Sequence, residues 1–317
     1  MTDLHGKRIL VTGGRGFLGR AICDELKKSG VTDIVVPESK THDLREKSIC
    51  MEVLRGADIV IHCAAHVGGI GLNAKRPAEM FYDNAIMGIQ LIHAAKEQGL
   101  SKVVLIGTAC VYPKICPIPL REEKLWDGYP NEETGAYGLA KKMLFVQADA
   151  YRKQYGLRSI VLIPTNLYGP FDTFDPEYGH VIPSLICRMT EAKDKKEPTF
   201  AVWGTGKATR EFLFVRDAAR AIVLATATEE ECGPVNLGTG EETPITELVR
   251  LLQKIIGYEG TIVWDATKPD GQPRRCMDVS RAKKIFGFTA TTGLEDGLRE
   301  TVAWFLDQRR KEEVMVR

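Results

Sequence analysis

A tyrosine and a lysine four residues apart, in Gly135-Ala136-Tyr137-Gly138-Leu139-Ala140-Lys141, form the pair in this chain best suited to proton chemistry. Residues at that spacing lie on one face of a helix. A phenol is a weak acid with an ordinary pKa of about 10. A neighbouring ammonium favours its phenolate, which suits a group that exchanges a proton with an alcohol or ketone. A hydroxyl and a thiol, Thr108 and Cys110, stand close together in Gly107-Thr108-Ala109-Cys110-Val111-Tyr112-Pro113, just past the apolar run 103–106. The carboxyl end of a parallel strand is where such sheets offer residues to ligands. The glycine run Gly13-Gly14-Arg15-Gly16-Phe17-Leu18-Gly19 lies between a strand pattern and a helix pattern. Glycine lets the backbone turn sharply against a pyrophosphate, and a helix amino terminus offers free N–H groups. Each feature alone has a plain structural explanation, such as a packed tyrosine or a tight turn. Their joint presence predicts a dinucleotide site beside an acid/base pair.

Two residues bear on which dinucleotide. An acidic residue about twenty positions past the turn holds the ribose 2′-hydroxyl of NAD, and Glu38 stands near that place, flanked by Pro37 and Lys40. Arg15, inside the turn, suits the 2′-phosphate of NADP, because a guanidinium matches phosphate geometry. A glutamate facing that phosphate would oppose it. The cues conflict, and we read the cofactor as NADP(H).

The elements that must position these groups alternate. Strand patterns cover 7–12, 33–36, 59–63, 103–106 and 159–163; helix patterns cover 17–28, 78–98 and 137–155. That order predicts an α/β fold with a doubly wound parallel sheet covered on both faces. After Pro164, loops rich in glycine, proline and aromatic residues alternate with shorter helices such as 245–256. Residues 1–165 are expected to form mainly the cofactor-binding domain. Residues 166–317 are expected to form mainly a smaller α/β substrate-binding lobe, with the chain crossing between lobes more than once.

Composition excludes several classes. The 317 residues carry 43 basic and 42 acidic side chains, a net charge of +1, which predicts neither a nucleic-acid nor a membrane surface. The mixed-charge run 191–197 reads as a solvated loop. Residues 1–7 lack the apolar core of a signal peptide, and no apolar run is long enough to span a bilayer. Eight cysteines (Cys23, Cys50, Cys63, Cys110, Cys116, Cys187, Cys232 and Cys276) have no paired or metal-binding spacing and read as buried free thiols. A reducing, cytoplasmic setting is expected, and no metal is called for.

Taken together, the turn at 13–19, the Thr108 loop and the Tyr137/Lys141 pair resemble the extended short-chain dehydrogenase/reductase family, a Rossmann-type fold, over nearly the whole chain. That resemblance implies that Thr108 hydrogen-bonds the substrate oxygen and Tyr137 acts as the acid/base. Lys141 would hold the nicotinamide ribose and lower the tyrosine pKa. Within the family, AAHVGGI at 64–70, CVYPK at 110–114, PTNLYGP at 164–170, GHVIP at 179–183 and KPDG at 268–271 resemble one branch. Its members epimerise GDP-4-keto-6-deoxy-D-mannose at C3 and C5, then reduce C4 with NADPH. The branch implies Cys110 as base and His180 as acid, with Pro164, Asn166, Leu167 and His180 beside the cofactor. It also implies Arg188, Trp203, Arg210, Lys268 and Asp270 around a GDP-linked 4-keto-6-deoxy sugar. It implies a homodimer as well, built through helices around 82–98 and 144–155. The chain departs from the pattern where Thr108 and Ala109 replace a serine pair and where an arginine expected after the second strand is missing. Rival readings are a related enzyme acting on another 6-deoxy sugar or a heptose, or a non-catalytic dinucleotide-binding regulator. A dehydratase would carry an Asp-Glu pair where Ala109 and Cys110 stand.

Overall fold

The computed structural model describes residues 3–176, 178–230, 233–268 and 270–315; Cys232 and Pro269, singled out above, lie outside the described residues. The first half runs β1 (Arg8–Thr12), α1 (Phe17–Lys28), β2 (Asp33–Val35), α2 (Lys47–Val53), β3 (Ile59–His62), α3 (Ile70–Lys75), α4 (Pro77–Glu97), β4 (Lys102–Ile106), α5 (Gly135–Tyr155) and β5 (Arg158–Pro164). It continues through β6 (Asn166–Tyr168), α6 (Val181–Asp194), β7 (Thr199–Trp203), β8 (Thr209–Arg210), β9 (Phe212–Phe214) and α7 (Val215–Ala227). The remainder is β10 (Val235–Leu237), β11 (Thr243–Pro244), α8 (Ile245–Ile256), β12 (Thr261–Asp265), α9 (Ser280–Phe286) and α10 (Leu294–Met315).

Six parallel strands form the main sheet in the order β10-β5-β4-β3-β1-β2. Alternation of side chains along β1 feeds two separate cores. Ile9 and Val11 pack with Leu18, Ile22 and Leu26 of α1 and with Ala218, Ile222 and Ala225 of α7. Leu10 points the other way, into a core that holds Leu91 and Ala95 of α4 with Leu144 and Ala148 of α5. Burial on both faces explains why these strands are apolar without a polar side. The chain leaves β1 toward one side for β2 and toward the other for β3, so a crevice opens at the carboxyl ends of β1 and β3.

A third core unites α6, α8 and α10 with β7 and β9, through Ile186, Met189, Val202, Phe212, Leu248, Leu252, Leu298 and Phe305. Here β12 pairs with β7, β6 with β9, and β11 with β8. The run 191–197 corrects an expectation. Residues up to Asp194 are the last turn of α6, because Leu185, Met189 and Ala192 continue one buried stripe and the Lys193 ammonium donates to the Ile256 carbonyl at 2.6 Å. The seven described cysteines are free thiols. No helix among the described residues is long and apolar enough to cross a membrane.

Glu211, fully buried between β8 and β9, ties the second half of the chain together. Its carboxylate accepts from the backbone N–H groups of Thr239, Gly240 and Met277 at 2.6–2.7 Å. Burial raises its pKa above the ordinary value while those donors pull it down. Each buried donor left without a partner costs ~1–3 kcal/mol. Glu211→Ala is therefore expected to lower the unfolding free energy in urea by about 3 kcal/mol or more. Glu211→Gln, which keeps one carbonyl oxygen, should lose less.

Candidate functional site

The crevice is assembled by backbone contacts before any reactive side chain enters it. Gly13 turns the chain out of β1 at φ 68°, where a side chain would be strained, and a Cβ there would lie 2.8 Å from the Ala64 nitrogen at the exit of β3. The Thr12 hydroxyl completes the junction, meeting Nδ1 of His62 at 2.9 Å and accepting from the Ala64 N–H at 3.1 Å. The amino end of α1 follows at once, so the N–H groups of its first turn face the crevice without helical partners. Gly14, Arg15 and Val36 line part of a cleft of about 310 Å³ whose other walls are Arg20, Asp24 and Lys27 of α1 and Phe171. This turn fits the pyrophosphate and adenosine end of a dinucleotide. Arg15 and Glu38, the rival specificity cues, are ion-paired with each other.

On the neighbouring strand exits, β4 delivers Thr108, and a short 3-10 turn over Ala109–Val111 carries Cys110. Thr108 Oγ1 accepts from the Cys110 N–H at 3.3 Å, which fixes the hydroxyl and the thiol relative to each other. Helix α5 lies so close that any Cβ on Gly138 would collide with the Cys110 carbonyl oxygen. Glycine at that position is what lets Tyr137 reach the loop. The Tyr137 phenol lies beside Thr108, and the Cys110 and Cys63 sulfurs are near enough to act on it electrostatically.

The electrostatics differ from the expectation that Lys141 lowers the tyrosine pKa. Burial, with the two thiols, pushes the Tyr137 phenol above its ordinary value, and the group that opposes this is Thr108. Lys141 is 2% exposed and faces Cys63 and His62. Burial brings its own pKa down to about 8. The same burial holds His62 neutral, its pKa lowered to about 3, and pushes the Cys63 thiol up to about 12.

His180 sits at the N-cap of α6, about half exposed. Its neighbour is Asp172, whose carboxylate is 4.0 Å from Nδ1 and 5% exposed; the other Asp172 oxygen is buried without a partner. Pro164 ends β5. Asn166 donates to the Glu211 carbonyl at 2.9 Å, and Leu167 packs on the first core. Thr108, Cys110, Tyr137 and Lys141 thus form one cluster with Cys63, while His180 pairs with Asp172 on a separate element.

The residues expected around a nucleotide gather on the β7–β8 side. Trp203 is exposed, with the Lys268 ammonium 5.7 Å from its ring centroid. Asp270 accepts from the Thr205 N–H and hydroxyl at 2.6 and 2.7 Å, so it pins the turn after Trp203. Arg210 donates to the carbonyls of Gln272 at 2.6 Å and Asp270 at 3.3 Å. Burial and the charge of Arg275 lower its pKa. Arg188 is committed to the Ala201 carbonyl at 2.6 Å and lies over the Phe200 ring.

Arg275 did not stand out in the sequence. Its Nη2 donates to the Ala109 carbonyl at 2.6 Å, and its Nε is buried without a partner. Nothing in the local pattern of 268–275 distinguishes it from Arg274, which turns outward to Glu242. His62 and Cys63 were open to discovery, because they stand at the carboxyl end of a buried strand. Asp172 carries no local signal at all. Among the described residues no cluster of three or more histidines, cysteines and carboxylates could hold a metal ion.

Similarity to known proteins points the same way as this geometry. The profile of the NAD dependent epimerase/dehydratase family matches residues 9–238. The chain is 39% identical to GDP-L-fucose synthase 1 of Arabidopsis thaliana, across 96% of this chain and 95% of the relative. It is 35% identical to the GDP-L-fucose synthase of Escherichia coli, across 96% and 98%. The crystal structure of a GDP-L-fucose synthetase from Naegleria fowleri bound to NADP superimposes with a TM-score of 0.90 at 29% identity, covering 98% of this chain and 97% of that one.

Burial of Lys141 sets a pH-dependent stability. Its unfolded pKa is 10.5 and its folded pKa about 8. The unfolded chain therefore holds the proton more tightly, so the penalty is complete below pH 8 and fades as pH rises from 8 to 10.5. Cofactor-free Lys141→Met should resist urea better than the parent at pH 7, by ~3 kcal/mol. That advantage should shrink when the two are compared at pH 9.5.

Proposed function

We propose, from the premise that this chain belongs to the NAD dependent epimerase/dehydratase family, that it converts GDP-4-keto-6-deoxy-D-mannose to GDP-L-fucose. The observation that carries this is Cys110. A thiol stands two residues from the hydroxyl that would bind the ketone and beside the phenol that would protonate it. Simple ketone reduction has no use for such a thiol. Epimerisation next to the ketone does.

Protons on C3 and C5 are acidic because the adjacent C4 carbonyl delocalises the resulting charge onto oxygen. Thr108 and Tyr137 hydroxyls directed at O4 stabilise that enolate, as donors aimed where charge develops do. Cys110 as thiolate removes the proton from one face, and His180 returns one from the other, a division of work that a thiol and an imidazole suit chemically. The Asp172 carboxylate stands 4.0 Å from His180 Nδ1, on the side of the ring away from Nε2. Both epimerisations precede reduction, because reduction destroys the carbonyl that makes those protons acidic. In the last stage Tyr137 protonates O4.

NADPH would supply the hydride to C4. The turn 13–19 would hold its pyrophosphate, Tyr137 and Lys141 its nicotinamide ribose, and Pro164, Asn166 and Leu167 the nicotinamide end. The raised phenol pKa of Tyr137 suits a group that must keep its proton until the alkoxide forms. On the substrate side, Arg210 and Arg275 offer two adjacent guanidinium groups to the diphosphate. Trp203 and Lys268 offer a stacking face and a charge to the guanine, and Arg188 and Asp270 hold that wall in place. A homodimer would use α4 and α5, which expose Phe81, Tyr82, Met143 and Val146.

The decisive measurement is deuterium uptake at C3 and C5 of GDP-4-keto-6-deoxy-D-mannose in D₂O, followed by NADPH oxidation. The parent should label both carbons and then oxidise NADPH. Cys110→Ser and His180→Gln should each slow labelling by ~10²–10⁴-fold. Tyr137→Phe should slow NADPH oxidation by a similar ~10²–10⁴-fold while exchange remains measurable. Reduction without any exchange in the parent would make the protein a simple ketoreductase and Cys110 a packing residue.

A further inference from the structure

The turn that leaves β1 and the loop that leaves β2 meet in one ion pair. The Arg15 guanidinium is bound to the Glu38 carboxylate, and both side chains remain largely open to solvent. The pair is held from both sides. Val36, just past β2, packs its methyls against Gly14. The Glu38 carbonyl accepts from the N–H groups of His42 at 2.8 Å and Thr41 at 3.1 Å, so its side chain leaves an anchored turn. The Arg15 carbonyl accepts from Arg20 Nε at 2.7 Å. Gly14, Arg15 and Val36 also line part of a cleft of about 310 Å³ whose remaining walls are α1 and Phe171.

The two partners have opposite uses for an adenosine ribose. A carboxylate here accepts the hydrogen bond of a 2′-hydroxyl, and a guanidinium meets a 2′-phosphate. A 2′-phosphate reaching Arg15 must displace Glu38, and then stands beside a carboxylate of its own sign. A 2′-hydroxyl asks for no displacement, since an ionised carboxylate has acceptor sites for it as well as for Arg15. Displacing an exposed ion pair costs NADPH part of its advantage, and the like-charged carboxylate left beside the phosphate removes most of the rest.

We propose that Glu38 sets the cofactor selectivity of this chain by occupying Arg15 as a competing anion, so that the site takes NADH and NADPH with comparable affinity. The proposal rests on the dinucleotide site put forward under Proposed function, and it needs no assumption about the sugar.

Dissociation constants for NADPH and NADH, measured on the cofactor-free full chain by calorimetry, test it. The parent should bind both within about tenfold of each other. Glu38→Gln should tighten NADPH by about tenfold and weaken NADH several-fold. In an Arg15→Ala background the same Glu38→Gln change should bring little gain for NADPH. A parent that prefers NADPH by more than ~100-fold, unchanged in Glu38→Gln, overturns the proposal and leaves the dinucleotide site standing. An NADPH gain of equal size with and without Arg15 overturns the competition, because Glu38 would then act as a bare charge. Failure of the parent to bind either cofactor overturns the dinucleotide site itself, and the selector with it.

Discussion

The approach of helix α5 to the exit of β4 is the contact on which the rest of the site depends. A hydrogen atom at Gly138 is what leaves room for the Cys110 carbonyl. Any larger side chain would push the helix away from the sheet, and Tyr137 and Lys141 would retreat with it. The contact is supported from behind by Gly88 of α4, against which Leu144 of α5 packs, and by Phe145, whose ring closes on Gly107. The relative placement of phenol, hydroxyl and thiol is therefore a consequence of helix packing. The phenol, hydroxyl and thiol meet because three backbone segments can approach within van der Waals contact, and packed interiors transmit such constraints.

A cost in stability accompanies that closeness. Lys141 is carried into the interior with its ammonium among His62, Cys63 and the sheet, and no carboxylate stands among its electrostatic partners. An unpaired buried cation is what a chain selected for stability alone would avoid. Lys102 is the instructive contrast. It is also buried, yet its ammonium donates to three carbonyls at the end of α7, those of Ala225, Thr226 and Thr228, at 2.7–2.9 Å. One lysine closes a helix end with its hydrogen bonds satisfied. The other carries its ammonium into the crevice with no carboxylate beside it.

The second half of the chain is more than a lid on the first. It supplies β10 to the main sheet beside β5 and α7 to its face, and it returns to the loop that carries Thr108 and Cys110. Leu120 pairs with Met277, Leu120 N–H donates to the Cys276 carbonyl at 2.7 Å, and Arg275 reaches the Ala109 carbonyl. Asn236 of β10 adds a fully buried polar knot, accepting from the Tyr112 hydroxyl at 2.7 Å and donating to the carbonyls of Leu120 and Asp278. The segment that carries Arg275 is thus braced against the loop that carries Thr108 and Cys110. The proposed substrate-side residues and the Thr108–Cys110 loop share one backbone frame, which fixes their relative positions.

How much of this was legible in the sequence follows from the range of the forces involved. Helices α1 and α8 match their sequence patterns residue for residue, because an apolar stripe of period 3.6 between clear stop signals is a local property. The cluster of Thr108, Cys110, Tyr137 and Lys141 was legible for the same reason: strand exit and helix face fix each group locally, and the sheet order brings them together. The last turn of α6 was misread as loop because charge masks a buried stripe that only tertiary contact with α8 reveals. Arg275, Asp172 and Glu211 were invisible because their partners lie far off in the chain or in turns without a pattern: Glu211 meets Met277 across 66 residues, and Arg275 meets Ala109 across 166. The Arg15–Glu38 pair is the intermediate case. Both residues were noted as opposing cues for a cofactor. What no local pattern contained is that the two side chains are in direct contact as an ion pair.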